Sequence, residues 1–198
     1  MAGFFEATSD GGAAIALDEI EVSILRSLLV QLLELIGPGE EEPEQQDAAA
    51  PWPPFTEGPS DPPSDPALAR LFPNAYGGPG VPEDEEVLRA SAEFRRYTEP
   101  ELRTRKREDG LAAVRALDAA GVARDGGVVL TLKPEESRRW LGALNDLRLA
   151  LGTRLEVSDE DDGGALYRLP DSDPRKPMVM AYLWLGGLQE SLVETLTP

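Results

Sequence analysis

In EIEVSILRSLLVQLLELIG, apolar residues at 22, 25, 29, 32, 33 and 36 repeat at the period of an α-helix. Ile24, Leu28 and Leu35 widen that apolar face, and a face so broad predicts a central helix touched from several sides. Asp18, with Glu21 three residues on, predicts a capping box at its start, and Gly37 with Pro38 predicts its end. Upstream, GFFEAT (3–8) and AAIAL (13–17) flank the turn signal SDGG and predict a short hairpin.

Farther along, Glu83 to about Tyr97 predicts a helix with Val87, Leu88, Ala90, Ala92 and Phe94 on its apolar side. Thr98 and Pro100 then predict a fresh cap and first turn, opening a second helix that reaches about Ala120 and is weakened at Gly110. GGVVLTL (126–132) predicts a strand. From Pro134 to Leu151 a helix is expected, with Trp140, Leu144, Leu147 and Leu151 at i, i+4, i+7 and i+11. RLEV and, beyond an acidic Gly-Gly turn, ALYRL predict a second hairpin. Ser172 or Asp173, followed by Pro174, predicts a last helix with a stripe of Ala181, Leu185, Leu188, Leu192 and Leu196.

Helices outweigh strands, so the expected fold class is mainly α: a helical bundle with one or two short β-hairpins, in a single domain over 1–198. Residues 37–82 interrupt it. They hold 12 of the 18 prolines together with EEEPEQQ, and predict a largely disordered or polyproline-like excursion. One island within it, SDPALARLF, has a cap followed by Pro66 and predicts local order. Trp52, Phe55 and Phe72 are the aromatic residues expected to dock on the domain.

A net charge of −18 makes the chain a poor unaided partner for DNA or anionic lipid, since affinity for phosphate comes largely from Lys and Arg. Between residues 27 and 69 there are nine acids and no base. With no cysteine and no histidine, disulfides, thiol switches, Cys/His zinc sites and imidazole or thiolate catalysis are all excluded. Catalysis by carboxylates with a divalent ion stays open, through Glu156, Asp159, Glu160, Asp161 and Asp162. Those acids lack the alternation of an EF-hand loop and read as a solvated turn, so neither a cofactor nor a metal is expected. The N-terminus carries no signal-peptide pattern, and Ile20 to Ile36 is a poor membrane span because Glu21, Arg26, Gln31 and Glu34 interrupt it. A cytoplasmic protein is expected. Sixteen Arg to three Lys point to a high-GC bacterial genome.

Two polar groupings stand out. Arg95, Arg96, Arg103, Arg105, Lys106 and Arg107 belong to the one basic concentration in the chain and are candidates for contact with a protein partner. The competing readings are a solvated, self-paired face, which is favoured, and DNA contact. The second grouping is Asn145, Asp146, Arg148, Gly152, Thr153 and Arg154. Its favoured role is bracing, with Arg148 suited to a carboxylate such as Glu190 or Glu194; the alternative is recognition of a partner's carboxylate or phosphate. Near Trp184, Gly186 and Gly187 read as core packing, with a homodimer interface as the minority alternative.

Three stretches taken together, ILRSLLVQLLELIG, WLGALNDLRLALGTRLEV and YLWLGGLQESLVETL, resemble an actinobacterial family. That family was long filed as a domain of unknown function and has since been named for an oxidative-stress transcriptional regulator. The resemblance covers most of the chain except 37–82. It implies a non-enzymatic cytoplasmic regulator of stress-linked transcription, acting through RNA polymerase or a sigma factor. By motif match it marks Asn145, Asp146, Arg148, Gly152, Thr153, Arg154, Gln189 and Glu190 as signature polar positions, with no chemistry assigned. In a chain without cysteine, an oxidant signal must arrive through a partner. The alternative function is an adaptor in proteolysis or metabolism with no transcriptional role.

Overall fold

A computed structural model describes residues 3–38, 58–77, 84–120, 127–157, 166 and 168–197. The fold is mainly α with a small sheet. Strands β1 (Glu6–Ala7) and β2 (Ala13–Leu17) form the expected hairpin, with Glu6 opposite Ala14. The strand at 128–132, β3, pairs antiparallel with β2, Ile15 opposite Leu130, so β2 is the middle strand of three. Alternation puts Ala13, Ile15, Leu17, Leu130 and Leu132 on the core side.

Helix α1 (Glu19–Ile36) starts at the expected capping box: Asp18 Oδ1 accepts from the Glu21 amide at 2.8 Å, and Glu21 Oε2 from the Asp18 amide at 2.9 Å. It packs against two later helices, α3 (Glu85–Ala119) and α4 (Pro134–Arg154). Helix α4 is the hub, packed against α1, α2 (Pro66–Leu71), α3 and α5 (Lys176–Leu196). Trp140, Leu144 and Leu147 of α4 lie in one core with Leu25 and Leu29, Ala113 and Leu117, and Leu185 and Leu192. Phe5 meets the Trp140 ring edge-on at 6.2 Å between centroids. The extra apolar width of α1 is left partly uncovered, with Ile24 43% exposed.

Residues 84–119 correct the expectation of two helices. They form one continuous α3 that passes through Pro100. Thr98 does not cap; its hydroxyl donates back to the Phe94 carbonyl at 2.9 Å, four residues earlier within the same helix. Proline leaves the Arg96 carbonyl without its helical donor. The Gly58 amide fills that place, donating to Arg96 O at 2.8 Å.

The second hairpin is also corrected. RLEV closes α4 as a Schellman turn: the Val157 amide donates to Gly152 O at 2.9 Å and the Glu156 amide to Thr153 O at 3.1 Å. Glu156 sits in the left-handed region at φ 56. Leu166 is helical, and with Leu155 and Val179 it forms a small satellite core. Helix α5 begins slightly later than expected, with Asp173 accepting from the Arg175 amide at 2.8 Å.

Within 37–82, the expected island is α2, capped by Asp65. It is part of the domain, since Ala67, Leu71 and Phe72 are buried in the main core. Trp52 and Phe55, like Asp159 to Asp162, lie outside the described residues. Among the described residues no helix is long and apolar enough to cross a membrane.

Candidate functional site

Three features compete for the role: the cations of α3, the signature cluster on α4 and α5, and a trough beside α1. The first turns inward. Arg95 is 4% exposed and donates to Glu99 Oε2 at 2.6 Å, to Phe72 O at 3.0 Å and to Asn74 Oδ1 at 2.9 Å. Glu99, 3% exposed, accepts with its other oxygen from Arg103 at 2.6 Å. Arg103 also donates to the Ile36 carbonyl and lies 4.5 Å over the Phe72 ring. Arg107 donates to Gly37 O at 2.9 Å.

These contacts have one physical meaning. The last turn of α1 holds no basic residue of its own, and its orphan carbonyls are met by guanidiniums from α3. Lys106 completes the seam by pairing with Asp146 at 2.5 Å. Burial pushes the Asp146 carboxyl above its usual range, while Lys106 pulls it the other way. So Arg95, Arg103, Lys106 and Arg107, candidates for contact with a partner, brace α3 against its neighbours. Arg96 lies near Glu93 and beside the Tyr97 ring, and Arg105 is exposed.

The signature cluster splits. Asp146 faces α3, and Arg154 reaches Asp65 at 3.9 Å on the surface. Thr153 donates to Leu149 O at 2.9 Å, and a Cβ on Gly152 would lie 3.3 Å from the Tyr182 ring. Contrary to expectation, Arg148 does not pair with Glu190 or Glu194. Its Nη1 donates to Gln189 Oε1 at 2.5 Å, its Cζ lies 5.4 Å from the Tyr182 ring centroid, and its buried Nε has no acceptor. Gln189 in turn makes a long contact of 3.4 Å to Asn145 Oδ1. Glu190 is exposed at the edge of this grouping.

The trough was not recognised from the sequence. Helices α1 and α5 both rest on α4, and Leu151 lies on the floor between them. An apolar hollow of about 810 Å³ is walled by Ile24 and Leu28 on one side and Met178, Met180 and Trp184 on the other. A second hollow of about 400 Å³ shares Leu28, Gln31, Leu151 and Met178 with it and continues to Leu35. Together they run along α1 from Glu21 to Leu35, about 21 Å at the helical rise. Met180 is 55% exposed, and the buried indole N–H of Trp184 has no acceptor. The signal for it was the surplus width of the α1 face, which had been assigned to core.

Among the described residues no group of three or more Asp and Glu is arranged to hold a metal ion. The chemistry on offer at the trough is apolar contact, with Glu21, Glu34 and Arg154 as the charged groups at its margin.

A family model for a domain of unknown function, DUF2017, matches residues 1–196. The chain is 35% identical over 136 residues to the oxidative stress regulator AosR of Mycobacterium tuberculosis, a match covering 66% of this chain and 58% of that protein. The Mycobacterium bovis protein of the same name matches to the same extent. A Mycobacterium leprae protein given the name provisionally is 34% identical over 182 residues, 87% of this chain and 77% of its own length. The match thus spans under three fifths of the first two relatives. No solved structure matches.

Proposed function

The chain belongs to the DUF2017 family, and from that membership we propose that it is a regulator in the oxidative-stress response that works by protein contact, without catalysis. The trough between α1 and α5 carries this reading. Its occupant is an amphipathic helix of the transcription apparatus, on RNA polymerase or a sigma factor. Such a helix lays its apolar face in a groove through residues at i, i+3, i+4 and i+7, and methionine-lined walls adapt to it. About 14 residues of helix match the length of the trough. Basic residues on the flanks of that helix suit the net charge of −18. With no thiol of its own, the protein receives an oxidant signal through that partner.

The test is affinity recovery of the tagged full chain from an actinobacterial lysate after nuclease treatment, comparing the natural sequence with Met180→Glu. RNA polymerase or a sigma factor is expected with the natural sequence and lost with the variant. Recovery of protease or metabolic components alone would overturn the transcriptional reading in favour of an adaptor. Equal recovery by the variant would remove the trough from it.

A further inference from the structure

Strand β3 is an edge of the sheet, and its outer side is open. Thr8 N–H donates to Gly12 O at 3.0 Å and Glu6 lies opposite Ala14. Antiparallel alternation therefore turns the backbone of Ala14 and Ala16 toward β1 and that of Ala13, Ile15 and Leu17 toward β3. Their partners Leu132, Leu130 and Val128 bond inward, and Val129 and Thr131 turn N–H and C=O outward. Among the described residues these four outward groups meet no hydrogen-bond partner. Both residues are exposed, Val129 by 55%.

Folded proteins guard a free edge with charge, proline or a bulge. VVLTL has no charged residue and no proline, and its five pairs with β2 run without a bulge. This edge is recessed instead. Beyond it lies a hollow of about 620 Å³, walled by α3 and ended by the first two turns of α4. The wall on α3 is Ala112, Ala116, Ala119 and Ala120, whose side chains stop at Cβ and leave the width beside β3 unfilled. Helices on two sides admit one strand and obstruct a second sheet.

The open groups fix the conformation of what binds, because only an extended chain presents N–H and C=O at the two-residue repeat of a strand. Residues of that chain turned toward α3 meet alanines, which suits small or β-branched side chains. At the α4 end, Glu136 is held by the Lys133 amide, whereas Glu135 makes no ion pair among the described residues. A Lys or Arg of the ligand complements it there.

We infer that β3 and the alanine face of α3 form a docking groove for an extended peptide that adds to the sheet as a fourth strand, with small or β-branched side chains toward the alanines and a basic residue at the Glu135 end. The groove shares no residue with the trough, so the failure of one reading leaves the other standing.

Selection of a displayed random-peptide library on the immobilised full chain supplies the probe, and the leading sequence is then synthesised and its binding read by fluorescence anisotropy. Methylating its backbone nitrogens one at a time is expected to weaken binding at least tenfold at every second position and little in between. The Val129 and Thr131 amides are expected to slow in hydrogen exchange. Thr131→Pro removes an outward donor and leaves the ladder to β2 intact, as proline does on an edge strand. Ala116→Leu narrows the groove at a helix position that accepts leucine. With far-UV circular dichroism unchanged, each variant is expected to bind at least tenfold more weakly. No enriched peptide, a methylation profile without the two-residue period, or full binding by either folded variant would overturn the groove. A chain that sediments as a dimer, and as a monomer with Thr131→Pro, would overturn it in favour of a second copy on the same edge.

Discussion

The Gly58 amide donates to the Arg96 carbonyl at 2.8 Å, in the place that Pro100 leaves without a donor. A proline in the middle of a 35-residue helix is thereby tolerated, and the segment that supplies the donor is fixed to α3. The fit leaves no room for a side chain: a Cβ on Gly58 would lie 2.6 Å from Pro100 Cγ and 2.7 Å from Cδ. Gly58→Ala is expected to destabilise the protein by about 1–3 kcal/mol, the range for overpacking. Urea unfolding measures it, and an unchanged midpoint would mean that this contact does not hold the segment.

Glu156 is the converse case, a side chain where glycine is preferred. It occupies the left-handed position of the Schellman turn at φ 56 and is exposed. Glu156→Gly is therefore expected to stabilise the protein, by about 1 kcal/mol. Thermal unfolding at neutral pH checks the sign. A loss of stability would show that the Glu156 side chain holds the turn.

Glu99 serves two guanidiniums at 2.6 Å each while nearly inaccessible. Glu99→Gln preserves size and removes the charge that both Arg95 and Arg103 face. Leaving buried cations uncompensated costs about 3–5 kcal/mol. Denaturant unfolding is expected to show a loss in that range, and a change below about 1 kcal/mol would place the stabilisation in the backbone contacts of Arg95 and Arg103 instead.

How these elements could be read from the sequence follows from where their signals are local. The Asp18 capping box, the strand alternation and the α4 stripe through Trp140 are properties of adjacent residues, and the structure places them as expected. Pro100 and RLEV misled because their local signal is ambiguous. Proline opens helices more often than it interrupts them, and the donor that lets it interrupt this one is Gly58, 42 residues before Pro100 in the sequence. RLEV carries no glycine to announce a Schellman turn. The trough was hidden for a different reason: apolar width shows that a surface needs cover, not whether the chain itself provides it. The cations of α3 read as a surface face because, apart from Glu99 in their own helix, their acceptors are carbonyls at the ends of α1 and α2 and an acid of α4.

Met180 tests the separation of function from stability. It is 55% exposed, so Met180→Glu removes little buried area. Its effect on folding is expected to stay within about 0.5 kcal/mol, as for ordinary surface substitutions. Loss of partner recovery with an unchanged melting temperature is the expected pair of outcomes. A large drop in melting temperature would instead assign the trough wall to the core.

Lys106 and Asp146 make the pH dependence of the fold testable. Asp146 is 3% exposed, and burial holds its carboxyl above the usual range despite the opposing pull of Lys106. An acid raised in the fold favours folding in its protonated form, and that advantage is lost as pH rises from the ordinary carboxylate value through the folded value. The ionised form is compensated by Lys106, 2.5 Å away. Lys106→Ala removes both lowering influences of that residue, so the folded value rises further and a buried carboxylate is left without its cation. The variant is expected to lose about 3 kcal/mol at neutral pH. The deficit should shrink as the pH falls through the raised value, because Asp146 takes up a proton and no longer needs a partner. Urea unfolding of both proteins across the acid to neutral range measures it. Adding Asp146→Asn to Lys106→Ala should recover much of the neutral-pH loss and flatten the dependence. A deficit independent of pH would mean that Lys106 stabilises through its methylene packing and not through its charge.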